Sequence, residues 1–199
     1  MHPEILTDIP LSYANILKET QALNFNMSSD LYIGSLLKTL VSSKSGGRIL
    51  ELGTGTGLAT SWIVEGMDKN SNLVTVDNNE VLISVAQNNL IDDRIEFVCT
   101  DAYEWINQYD GPLFDVIFAD AIPGKFDLFD EVFSFLKIGG FYIIDDMSKQ
   151  PNWPVGHAER VETFIINIEK RNDTRLTKLN WSTGVIIAVK TVSDKTKGM

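Results

Sequence analysis

Short apolar runs bounded by charged or turn-forming residues recur along the chain, and the segments between them return apolar residues every three or four positions. The runs predict strands over residues 48–52, 72–77, 94–99, 114–120 and 140–145. Two helical segments, roughly 12–20 and 28–41, come first, and helices fill the gaps between strands. Asp101 followed by Glu104 reads as a capping-box helix start, and residues 126–136 repeat aromatics and aliphatics at helical spacing before a Gly139-Gly140 stop. After that the alternation ends: residues 175–180 and 185–190 are two strand-like runs joined by a short turn at Gly184, which predicts a hairpin. The whole reads as one doubly wound α/β domain over residues 1–199, with a mostly parallel seven-stranded sheet and a C-terminal antiparallel hairpin. Residues 1–45 are expected to cover the site and residues 191–199 to fray.

Composition adds limits rather than detail. A chain of 199 residues that is 44% hydrophobic can bury one sizeable core. The net charge of −10 argues against nucleic acid or an anionic membrane as partner, and favours a small-molecule substrate. Cys99 is the sole cysteine, so no internal disulfide is expected, and its place at the end of an apolar run suggests a buried thiol. Neither a leader nor a membrane span is read, making the cytoplasm the expected compartment.

The chemistry starts at ILELGTGTG, residues 49–57. A strand-like run meets Glu51 and then glycines at alternate positions, Gly53, Gly55 and Gly57, with Thr54 between the first two. Glycines there let main chain approach a bound molecule closely, and the residues that follow can start a helix. Twenty residues past Gly57, the run NLVTVD ends in Asp77, where nucleotide-binding α/β folds put an acid on ribose hydroxyls. The dinucleotide pattern G-x-G-x-x-G would need glycine at position 58, which is Leu58. Ligands in such sheets sit beyond the carboxyl ends of the strands, and Glu51, Asp77, Asp101, Asp120, Asp145 and Asp146 all fall at or just after those ends.

The Glu51-x-Gly53-x-Gly55-x-Gly57 pattern resembles motif I of class I S-adenosylmethionine-dependent methyltransferases. FDVIFADA, with Asp120, and GGFYIIDDM, with Asp145 and Asp146, narrow the resemblance to the metal-dependent catechol and caffeoyl-CoA O-methyltransferases. It spans about residues 27–190. It implies that S-adenosylmethionine is held by Met27, Glu51, Gly53, Thr54, Gly55, Gly57, Asp77, Asn78, Asp101, Ala102 and Asp120. Asp77 would take the ribose, and Asp101-Ala102 would border the adenine. It also implies that Asp120, Asp145 and Asp146 hold a divalent cation such as Mg²⁺, that Asp120 joins the cofactor and acceptor sites, and that the chain forms a homodimer. A cation of this kind prefers oxygen ligands and lowers the pKa of a bound hydroxyl.

Three departures from the family pattern stand out. Asp146 replaces asparagine; Pro123 stands where a lysine is common, leaving Lys125 two positions on as the candidate base; and Ala59 replaces a serine whose hydroxyl Thr60 is positioned to supply. The segment KQPNWPVGH, residues 149–157, reads as a loop over the acceptor, with Trp153 as a flat apolar wall and His157 as a second candidate base. The expected function is methyl transfer to a hydroxyl of a small, catechol-like molecule. The alternatives are a metal-independent small-molecule methyltransferase, a non-catalytic S-adenosylmethionine-binding regulatory protein and a nicotinamide-dependent oxidoreductase.

Overall fold

Period-two alternation within the central strands sends successive side chains to opposite faces of one sheet. In the computed structural model, which describes residues 8–150 and 153–193, the elements run α1 (Tyr13–Ala22), α2 (Leu31–Ser42), β1 (Arg48–Leu52), α3 (Leu58–Gly66), β2 (Asn72–Asp77), α4 (Glu80–Asn89), β3 (Ile95–Cys99), α5 (Ala102–Gln108) and β4 (Phe114–Ala119). Then follow a short kinked turn α6 (Ile122–Lys125), α7 (Phe129–Ser134), β5 (Leu136–Ile144), α8 (His157–Glu169), β6 (Thr174–Leu179) and β7 (Val185–Lys190). The seven strands lie in the order β3-β2-β1-β4-β5-β7-β6, parallel except where β7 pairs with β5 and β6. This is the sheet of the Rossmann-like methyltransferase fold, as expected.

Leu50, Leu52, Val74, Val76, Ile117 and Ile144 point to one face and pack with Ile106 of α5, Val132 and Phe133 of α7, and Val161, Phe164 and Ile168 of α8. Ile49, Leu73, Val116, Phe118 and Ile143 point to the other, against Ile33, Leu37 and Val41 of α2 and Ala59 and Ile63 of α3. Each fully buried aliphatic side chain contributes about 1.5–3 kcal/mol. α2 lies close on α3 because Gly34 leaves room for the buried Trp62 ring, and a Cβ there would sit 2.3 Å from Trp62 Cδ1.

Several boundaries differ from the pattern-based reading. Asp30, not Ser28, starts α2, its carboxylate accepting from Tyr32 N and Ile33 N. The helix expected over 126–136 is only Phe129–Ser134, because the chain turns at Phe135 and Leu136 already pairs with Phe114 across a bulge. Gly139-Gly140 therefore lies inside β5 and stops no helix. Cys99 is exposed rather than buried, because β3 is the edge strand of the sheet. Residues 191–193 are tied back, Thr191 N donating to Asp173 O at 2.8 Å and Ser193 Oγ to Asn172 Oδ1 at 3.1 Å. The rest of the expected frayed tail, 194–199, lies outside the described residues, as do Pro151 and Asn152 of the acceptor loop. No helix among the described residues is long and apolar enough to cross a membrane.

Candidate functional site

Strand order reverses direction between β1 and β4, and a crevice opens there beyond the strand ends. It divides into two clefts of about 400 and 410 Å³ that share Met27, Asp120 and Ile122. Asp120 follows β4 directly, its N–H bonded to Leu52 O at 2.9 Å, so the main chain of β1 fixes the junction.

The first cleft is floored by backbone. Gly53 leaves β1 at φ +102°, and a Cβ there would lie 2.9 Å from Asp120 O, so the loop passes where a side chain cannot. Gly53 N donates to Val76 O at 2.9 Å, and Gly55 N to Asp77 Oδ2 at 2.8 Å. Asp77 Oδ1 accepts from Asn79 N at 2.9 Å. The carboxylate is thus set in place by two N–H groups and keeps lone pairs for a ligand. Asn78, Asp101 and Ala102 line the same cleft. Asp101 also caps α5, accepting from Tyr103 N at 2.7 Å and Glu104 N at 3.4 Å, so the cap and the lining role coexist. Phe25, Leu82 and Tyr103 complete the walls; none was singled out from the sequence. Phe25, an isolated aromatic in the polar segment NFNMSS, was the available signal.

Three residues of the motif lie elsewhere. Glu51 is completely buried on the α2–α3 face of the sheet and does not line the cleft. Its Oε2 accepts from Thr60 Oγ1 at 2.7 Å and Thr75 Oγ1 at 2.6 Å, and Oε1 has no hydrogen-bond partner. Burial pushes this carboxyl up to about 8, so it is neutral at pH 7. Thr60 is committed to Glu51 and supplies no hydroxyl to the cleft in place of the missing serine. Thr54 is buried too, its Oγ1 2.6 Å from Thr75 Oγ1, and Gly57 caps α3 beside Ala86. These groups hold the loop from behind.

Side chains from distant segments build the second cleft. Asp145 and Asp146 follow β5, Trp153 and His157 come from the loop before and the start of α8, and Asp30 and Ser29 from the segment preceding α2. Asp145 is buried, accepting from Thr183 Oγ1 at 2.6 Å and from Asp146 N at 2.8 Å. Burial and then the Asp120 charge raise it to about 7. Asp120 is raised as well, by burial, against the lowering effect of Lys125. The His157 ring lies 4.6 Å from that of Trp153 and 5.3 Å edge-on from Phe126. Desolvation and then the Lys125 charge lower its pKa from the ordinary histidine value, against the raising effect of Asp146. Lys125 lies behind the cleft, nearly buried, with Nζ 3.1 Å from Asp120 Oδ1 and 3.6 Å from Asp146 Oδ2. Despite desolvation, the carboxylates raise its pKa; an ammonium so held is no proton acceptor, which counts against the base role expected of it.

The resemblance asks for a divalent cation between Asp120, Asp145 and Asp146. The donor set does not fit one as it stands: Lys125 ion-pairs two of the three acids, and Thr183 and the Asp146 N–H occupy Oδ1 of the third. Among the described residues no group of three or more His, Cys, Asp or Glu side chains is drawn together as a metal cluster requires.

Known proteins share this architecture. The O-methyltransferase TomG from Streptomyces achromogenes, in complex with SAM, superposes with TM-score 0.82 at 19% identity, over 96% of this chain and 93% of that one. The O-methyltransferase from Bacillus cereus, in complex with SAH, does so with TM-score 0.82 at 22% identity over 94% of each chain. In sequence, a catechol O-methyltransferase of Mycobacterium tuberculosis is 32% identical over 92 residues, which is 44% of this chain and 42% of that protein. The chain spans about half the length of the curated relatives it matches. A family model for a methyltransferase domain matches residues 43–182, from the turn before β1 to the β6–β7 turn, and with the glycine loop and Asp77 in the places that fold demands, the chain belongs to the methyltransferase domain family.

Proposed function

We propose that the protein is an S-adenosylmethionine-dependent O-methyltransferase acting on a small, planar, catechol-like hydroxylated acceptor. The observation that carries the reading is the meeting of two clefts at Asp120, one shaped by glycine backbone and Asp77, the other walled by Trp153 and His157. The first suits the cofactor: Gly53 and Gly55 line it with main chain, the absent Gly53 side chain letting the loop pack against the backbone after β4, and the Asp77 carboxylate, held by two N–H groups, keeps lone pairs for a diol. When bound, S-adenosylmethionine supplies an electrophilic methyl carbon on a cationic sulfur.

The chain's own residues do the rest. Asp77 accepts hydrogen bonds from the ribose hydroxyls, while Ala102, Leu82 and Phe25 give the adenine an apolar slot. Trp153 stacks on the acceptor ring and orients it toward the junction. His157, which lines the cleft, is placed to take the proton of an acceptor hydroxyl, the oxygen that would receive the methyl group. Holding nucleophile and methyl carbon in line, with rings and carboxylates fixed beforehand, supplies much of the acceleration.

Thermal unfolding with S-adenosylhomocysteine against NAD, followed by a catechol panel read by mass spectrometry, tests the reading. Stabilisation by the adenosyl compound and a product heavier by one methyl group support it; a response to NAD alone sinks it.

A further inference from the structure

Between β4 and α7 the chain does something a plain connector has no need of. Ile122–Lys125 begins as a helical turn and breaks at once, Pro123 at ψ 133° and Gly124 at φ +85°. The break is packed and held. A Cβ on Gly124 would sit 2.5 Å from Leu52 Cδ1; the buried Tyr142 hydroxyl donates to Gly124 O at 2.6 Å; and Gly124 N donates to Asp127 O at 2.7 Å. Only glycine fits that conformation at that depth. The bend returns Lys125 toward the end of β4, where Nζ, on a side chain 5% exposed, meets Asp120 Oδ1 at 3.1 Å and Asp146 Oδ2 at 3.6 Å. Asp146 takes part from a left-handed conformation, φ +58°, which aspartate tolerates better than most residues. Ser29 Oγ approaches the other oxygen of Asp120, at 3.3 Å, and Thr183 holds Asp145. A divalent ion among these carboxylates would have to displace the ammonium or share the cradle with it, two like charges at contact distance.

Resting on the methyltransferase reading above, we propose that the Lys125 ammonium is the resident cation of the acceptor cleft, standing in the place that the resemblance gives to a divalent metal, so that acceptor binding and methyl transfer proceed without metal. Lys125 holds Asp120 and Asp146 in position through its ion pairs from behind the cleft, so that neither carboxylate needs a metal to offset its charge. The buried ion pair also explains why the bend is built so firmly: with Lys125 drawn away, carboxylates converging at the cleft would face one another uncompensated.

The test is Mn²⁺ uptake by the full chain, followed by the electron paramagnetic resonance signal of free Mn²⁺. The wild type is expected to leave the signal undiminished at equimolar protein and metal, and turnover is expected to be equal with Mg²⁺ or with chelator. Lys125→Met, of similar length but uncharged, is expected to take up Mn²⁺ at least about tenfold more tightly, and adding Asp120→Asn to it to abolish the uptake. Lys125→Arg, which keeps the charge, is expected to stay as metal-free as the wild type. Tight Mn²⁺ binding by the wild type that is lost in Asp146→Ala overturns the proposal even if Lys125→Met does not fold. Calorimetry with S-adenosylhomocysteine on the same samples reads the cofactor assignment separately, so a failure there is distinguishable from a failure of the lysine assignment.

Discussion

The two clefts that meet at Asp120 are made of different material. Main chain floors the first: Gly53 N donates to Val76 O, and the Asp77 carboxylate accepts from Gly55 N and Asn79 N, so the floor is fixed by backbone bonds. The second is made of side chains from four separate stretches, around Asp30, Asp145, Trp153 and Thr183, held by hydroxyl–carboxylate bonds and an ion pair. A backbone-built site keeps one ligand and resists change, whereas a side-chain-built site can be retuned one residue at a time. On the proposed reading, this difference gives the invariant cofactor the first cleft and the variable acceptor the second.

Substitutions should divide the same way. The largest effect is expected from Gly53→Ala, which puts a methyl group against Asp120 O and strains a positive φ; affinity for S-adenosylhomocysteine should fall by about 100-fold or more in calorimetry. Asp77→Asn keeps the shape and removes the charge, with an expected loss of about 10- to 100-fold, the range for hydrogen bonds to a charged group. Equal cofactor affinity in either variant would erase the distinction between the clefts. On the other side, Trp153→Ala should raise the KM for an aromatic acceptor about tenfold while leaving cofactor affinity where it was, and a matched drop in both would mean the clefts are coupled.

The smallest expected effect concerns the support behind the loop. Because the folded Glu51 carboxyl lies at about 8 against 4.5 unfolded, the folded state holds its proton more tightly. Its contribution to stability is complete below about pH 4.5 and is lost as pH rises through about 8. Glu51→Gln, which cannot ionise, should flatten the decline in Tm between about pH 5 and pH 9 by a few degrees, and parallel curves for the two proteins would remove Glu51 from the account.

The first cleft was largely legible in the sequence because its parts are contiguous: Gly53 and Gly55 sit in one run, and Asp77 closes the next strand. The same local reading misassigned Glu51 to the cleft. Alternation along β1 places it with Ile49, on the face that α3 covers, and the placement of α3 is not written in the motif. Cys99 was misjudged for a related reason, since an apolar run does not say whether its strand is central or at the edge. The second cleft was legible only in its acids. Ser29, Asp30 and Thr183 reach it from opposite ends of the chain, and the reach of Lys125 depends on a bend at Pro123-Gly124 that spacing alone could not supply.

A clasp joins the start of α2 to the β6–β7 turn across the second cleft. Ser182 Oγ donates to Asp30 Oδ2 at 2.7 Å, Trp181 Nε1 donates to Tyr32 O at 3.0 Å, and the Tyr32 and Trp181 rings meet edge-on at 5.4 Å. These contacts join residues 149 and 152 positions apart, so the second cleft is complete only when the β6–β7 turn docks on the start of α2 and the whole sheet between them is in place.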